Sequence, residues 1–304
     1  MGLDRLIEGI KRTNNPTVAG LDPKLDYIPE PIVRAAFEAH GETLEGAAAA
    51  ILAYNKGLID ALCDVVPTVK PQAAYYEMYG WPGVRALSET IAYAREKGMF
   101  VITDGKRNDI GSTMEAYAAG HLGTTRVGEA ETAAFGADAL TVNGYLGTDG
   151  IRPLLDVCRR FDTGIFVLVK TSNPSSGELQ DQPAGGQSVY RRMGSLCERW
   201  GEELPGKYGY SGVGAVVGAT WPAQLGELRA ALPHTFFLVP GYGAQGGGAA
   251  DVAGAFDRDG LGAVINSSRG ILCAWKKEGC APEDYAGAAR REALRMRDDI
   301  LGAL

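Results

Sequence analysis

The feature that most constrains this chain is a repeated pattern of elements. Eight short apolar runs, at residues 16–21, 65–69, 100–103, 139–142, 165–169, 215–217, 236–239 and 263–265, each leave through polar or glycine-rich residues and are followed by a helical segment. Brief apolar runs without polar alternation are strands buried on both faces, and strands alternating with helices build a parallel sheet. Either a doubly wound open sheet or a closed barrel satisfies that pattern. Eight units within 304 residues favour a (β/α)8 TIM barrel, a single domain over 1–304. An extra N-terminal helix, with Leu3, Leu6, Ile7 and Ile10 on one stripe, and a C-terminal helix opening at Pro282 complete it. The other expected helices span 41–64, 84–97, 114–135, 151–161 and 189–204, with one more opening at Pro222. Asn55 is polar on the apolar stripe of the first of these, and it is expected to satisfy a buried backbone group.

In such barrels the chemistry sits where strands end. Here Asp22, Lys70, Asp104, Lys106, Ser172 and Arg269 all fall at strand exits. The third exit is the densest, with Asp104, Lys106, Arg107 and Asp109 within six residues. A lysine held between carboxylates is expensive to bury and is usually retained for chemistry. After the seventh strand, Gly241, Gly243, Gly246, Gly247 and Gly248 bring backbone N–H groups close to an anion. Gln245 lies among them and Arg269 follows the eighth strand, so a phosphate is the expected ligand. The long segment 173–187, rich in Pro, Gly and Ser, is either a lid or disordered.

Net charge of -7 excludes a general nucleic-acid surface, and no apolar run reaches membrane-spanning length. The start is an amphipathic helix without a signal-peptide core, so a cytoplasmic protein is expected. Five cysteines without Cys-x-x-Cys spacing point to buried free thiols. Three scattered histidines give no histidine-based metal site, although His121 follows the charged exit closely enough to support it from behind.

The run from Asp104 to Thr113, DGKRNDIGST, resembles the Asp-x-Lys-x-x-Asp-Ile-x-x-Thr signature of the orotidine 5'-phosphate decarboxylases. GLDP at 20–23, VKPQ at 69–72, KTSNPSSGELQ at 170–180, PGYGAQGG at 240–247 and the arginine of SSRG are similar to further motifs of that family, in the same order. The length and the long fifth loop resemble its larger bacterial (type 2) subgroup. The resemblance implies loss of CO₂ from orotidine 5'-phosphate to give uridine 5'-phosphate, the last step of UMP synthesis, without metal or organic cofactor. It assigns Lys106 to protonate C6 of the pyrimidine, Asp104 to lie beside the substrate carboxylate, and Asp109, Ile110 and Thr113 to the site of a second subunit in a homodimer. It also implies that Asp22 and Lys70 hold the ribose, Ser172 the pyrimidine edge, and Gln245 with Arg269 the phosphate.

Three other readings compete. A magnesium-dependent relative shares the Asp-x-Lys-x-x-Asp pattern but carries a carboxylate at the second strand exit, where this chain has Lys70. Lys170-Thr171-Ser172 resembles the Schiff-base lysine segment of a sugar-phosphate aldolase. A barrel that binds a phosphate ligand without chemistry is the third; the intact Asp104, Lys106 and Asp109 set argues against it.

Overall fold

The computed structural model describes residues 2–243 and 246–304. Its centre is a closed barrel of eight parallel strands, as expected. In chain order these are β1 (Thr17–Leu21), β2 (Thr68–Pro71), β3 (Phe100–Arg107), β4 (Ala139–Val142), β5 (Gly164–Lys170), β6 (Val213–Val217), β7 (Phe237–Val239) and β8 (Ala263–Ser267). Each strand pairs with its neighbours in sequence, and β8 closes on β1 with Thr17 opposite Ile265.

Leu3, just before the helix Asp4–Thr13, and Leu6, Ile7 and Ile10 within it pack with Phe100, Ala139, Phe166 and Phe236, at or near the starts of four strands. That stripe plugs the barrel from below and leaves the opposite end open for a site. A second apolar layer lies between the strands and the surrounding helices, including Leu44–Leu62 and Tyr285–Leu301. Asn55 is buried there, but it donates to the hydroxyls of Tyr76 (2.8 Å) and Thr90 (3.1 Å) rather than to backbone. It ties its own helix to two others, Ala74–Glu77 and Gly80–Glu96.

The sequence pattern misplaced two elements and left a third open. The helix Glu30–His40 was not anticipated, because it has no fully buried residue and therefore shows no strong apolar stripe. The helix expected over 114–135 runs instead over Gly111–Leu122 and gives way to an exposed hairpin, Thr125–Val127 with Ala130–Thr132, turning at Gly128 with φ +62°. The segment 173–187 is ordered, with a 3-10 turn over Pro174–Glu178 and a two-residue hairpin, Pro183–Ala184 with Gln187–Ser188. Cys158 and Cys197 are buried, while Cys63, Cys273 and Cys280 are half-buried; all are free thiols.

His121 is packed into the core with its ring stacked on Phe135 at 4.7 Å. Burial, and secondarily the nearby Arg107 charge, push its pKa down from 6.5 to about 4. A depressed base binds fewer protons folded than unfolded, so stability falls as pH drops from 6.5 toward 4. The full effect is about 3 kcal/mol. Denaturant unfolding of His121→Leu is expected to lose about 2 kcal/mol less than wild type between about pH 7 and pH 4.5. Parallel curves for the two proteins would show that His121 does not titrate as its burial requires.

Candidate active site

A cavity of about 710 Å³ opens at the carboxyl ends of the strands. Asp22, Lys70, Asp104, Lys106, Ser172 and Arg269 all line it, so the strand-exit residues singled out from the sequence converge on one space. Leu168, Val216 and Leu238 from the barrel interior supply an apolar floor.

Asp104 is the hub. Its Oδ1 accepts from Lys106 Nζ at 2.6 Å and from the Thr141 hydroxyl at 2.8 Å. Its Oδ2 accepts from Lys70 Nζ at 2.7 Å and from the Gln72 amide at 2.9 Å. Four donors occupy both oxygens of a carboxylate that is only 7 % exposed. Burial alone would raise the Asp104 pKa, but Lys70 and Lys106 outweigh it and hold the carboxyl well below the usual range. Burial likewise pulls Lys70 down, and the carboxylates of Asp104 and Asp22 more than reverse it, so Lys70 stays protonated. The result is a fixed array of charges in a partly dry cleft, organised before any ligand arrives.

Asp22 sits 3.9 Å from Lys70, and among the described residues its buried Oδ1 has no hydrogen-bond partner, nor has Asn266 Oδ1 on β8. Two orphaned acceptors on the cavity wall are suited to sugar hydroxyls. Gly20 makes this corner possible: a Cβ there would lie 2.0 Å from Ser268 Oγ and 3.0 Å from Asn266 Oδ1. Across the cavity, Gly241 at φ +101° turns β7 into the glycine-rich loop facing Arg269. Gln245 lies outside the described residues.

Asp109, Ile110 and Thr113 do not line this cavity. Asp109 accepts the Ile110 N–H at 2.8 Å, and Ile110 is 53 % exposed. Exposed Leu146 lies near Asp109: a Cβ on Gly150 would sit 3.0 Å from the Asp109 carbonyl oxygen and 3.4 Å from Leu146 Cβ.

Lys170 is not placed for Schiff-base chemistry. It is fully buried behind the cavity wall, bonded through Nζ to Asp181 (2.6 Å) and Ser176 (3.2 Å), with Trp221 stacked against it at 4.7 Å. A lysine paired with a carboxylate and closed off from the cavity is poorly placed to attack a carbonyl there. It instead pins the 173–187 segment down, assisted by Gln180, which bonds the Thr171 N–H and hydroxyl.

Sequence reasoning passed over Gln72, Thr141 and Asn266. Gln72 lies inside the quoted VKPQ motif, and Thr141 is a hydroxyl within an otherwise apolar strand. Both were visible as residues but not as contacts.

A family profile described as "Orotidine 5'-phosphate decarboxylase / HUMPS family" matches residues 50–281. The chain is 45% identical to the orotidine 5'-phosphate decarboxylase of Rhodopirellula baltica and 41% identical to that of Caldicellulosiruptor bescii, covering 98% and 99% of this chain and 98% of each relative. Among solved structures, a putative orotidine-monophosphate-decarboxylase from Toxoplasma gondii superposes with a TM-score of 0.78 at 31% identity, covering 99% of this chain and 98% of that one. A putative orotidine 5'-phosphate decarboxylase from Streptomyces avermitilis superposes with a TM-score of 0.75 at 33% identity and the same coverage.

Proposed function

The chain belongs to the orotidine 5'-phosphate decarboxylase / HUMPS family, and from that premise we propose that it releases CO₂ from orotidine 5'-phosphate through the Asp104–Lys106 array to give uridine 5'-phosphate. The carrying observation is the Asp104 carboxylate, ionised at the cavity wall with Lys106 Nζ 2.6 Å away.

Departure of CO₂ leaves a carbanion at C6 whose lone pair lies in the ring plane and gains little from delocalisation. The barrier then has to be lowered by charges already in place. Lys106 supplies the cation beside C6 and afterwards the proton that completes the product. Asp104, held ionised, stands against the substrate carboxylate and raises the energy of the bound ground state relative to the state in which CO₂ is leaving. Asp22 and Lys70 take the ribose hydroxyls, Ser172 the pyrimidine edge, and Gln245 and Arg269 the phosphate. No step needs a metal or an organic cofactor.

The enzyme works as a homodimer in which Asp109, Ile110 and Thr113 enter the neighbouring subunit's cavity. Supporting this, these residues stand outside their own cavity, and Ile110 and the nearby Leu146 are large apolar side chains left exposed. The chain acts as one barrel unit over 1–304, and the free state of its cysteines suits the reducing cytoplasm. Its partners are its nucleotide substrate and its own second copy, with no membrane or nucleic acid involved.

The test is ultraviolet absorbance of orotidine 5'-phosphate with the purified protein in excess EDTA. Loss of the orotate band with stoichiometric uridine 5'-phosphate is expected. No change in EDTA, with turnover of a sugar phosphate on adding magnesium, would overturn the reading.

A further inference from the structure

The reach of Lys106 toward Asp104 depends on an irregularity in β3. Pairing between β3 and β4 runs Ile102 with Ala139 and Thr103 with Leu140, then resumes at Arg107 with Val142. Asp104, Gly105 and Lys106 therefore bulge outward opposite one residue, Thr141. At the crest Lys106 takes φ +49°, a left-handed conformation uncommon for a side chain of this kind. Bulges leave ladder groups unpaired, and beside active sites they re-aim side chains. Here the Lys106 N–H is taken up by Thr141 Oγ1 at 3.0 Å, and the same hydroxyl donates to Asp104 Oδ1 at 2.8 Å.

We propose that Thr141 is a positioning residue for the decarboxylation, its hydroxyl locking the bulge that aims Lys106 beside Asp104. The inference rests on the decarboxylase reading above. The polarity is fixed from both ends: a carboxylate only accepts and an N–H only donates, so one hydroxyl links the two catalytic residues in a single orientation. Thr141 is 1 % exposed and sits in the wall of the cavity, so its hydroxyl is committed to these two partners. The Lys106 side chain is 45% exposed, and among the described residues its tip is held by Asp104. Its aim is consequently set by backbone, and backbone here is set by Thr141. Thr141 acts through these two residues and need not touch the reacting carbon.

The experiment compares Thr141→Val, which keeps the volume and removes the hydroxyl, with Thr141→Ser, which keeps the hydroxyl. With orotidine 5'-phosphate, Val is expected to lower kcat by about 10- to 100-fold and to leave KM within about threefold, while Ser stays within about threefold of wild type in both. The groups facing Asp104 are Lys70, Lys106, Gln72 and Thr141, with Asp22 near Lys70. Losing one of the four donors shifts the acid limb of the kcat profile to higher pH in the Val variant and not in Ser. If Val does not fold, Thr141→Ala carries the same expectation. Wild-type kcat and acid limb in Val or Ala overturn the inference, as does Ser as impaired as Val, which would reduce Thr141 to packing. A wild-type protein that leaves orotidine 5'-phosphate untouched overturns the decarboxylase reading, and this inference with it.

Discussion

Lys106→Ala is expected to abolish turnover of orotidine 5'-phosphate, with kcat lower by about 10⁴-fold or more, since the change removes both the charge beside C6 and the proton donor. The fold should survive it. Asp104 keeps three donors, from Lys70, Gln72 and Thr141, and the lysine side chain is 45% exposed, so little packing is lost. Binding of uridine 5'-phosphate should stay within about tenfold of wild type, because Asp22, Lys70 and Arg269 remain in place to hold the sugar and phosphate. Steady-state rates, a binding titration and thermal melts together separate these effects. A variant that turns over at an appreciable fraction of the wild-type rate would remove Lys106 from the chemistry; one that no longer binds the product would recast it as a binding residue.

Asp109→Ala is expected to lower kcat by about 10²- to 10³-fold, the range seen when one electrostatic contributor leaves a preorganised site. Within its own chain Asp109 accepts the neighbouring Ile110 N–H, at the start of the helix Gly111–Leu122. Losing that bond should lower stability by about 1 kcal/mol or less. A large kinetic loss with a small stability loss marks a residue that serves the chemistry rather than its own chain's packing; the subunit that it serves is read from the mixing experiment below. Retained activity in the dimeric variant would contradict the assignment.

Most of the site was legible because a barrel sends its strand ends to one place. Once eight buried runs are counted, polar residues at the runs' exits become candidates for one cavity, and Asp22, Lys70, Asp104, Lys106, Ser172 and Arg269 line it, whereas Asp109 and Lys170 do not. What stayed hidden were features defined by contact. The bulge of β3 exists only relative to β4, so its consequence for Thr141 has no signature in either strand alone. Lys170 showed the opposite failure: its local sequence resembled a catalytic lysine, but its surroundings, Asp181 and Trp221, come from segments further along the chain and turn it into an anchor. The helix Glu30–His40 escaped because it packs by one half-buried side, and periodicity reports burial rather than helicity.

The central claim is that one catalytic array is assembled from two chains, with Asp104 and Lys106 from one and Asp109 from the other. Mixing inactive Lys106→Ala with inactive Asp109→Ala tests it most directly, under conditions in which subunits exchange. A heterodimer places both substitutions in one site and leaves the other intact. Activity is therefore expected to return, to about a quarter of wild type per total site at equal mixing if half the dimers are hybrid. No recovery at any ratio, with exchange verified by mass spectrometry of the intact dimers, would contradict the shared array.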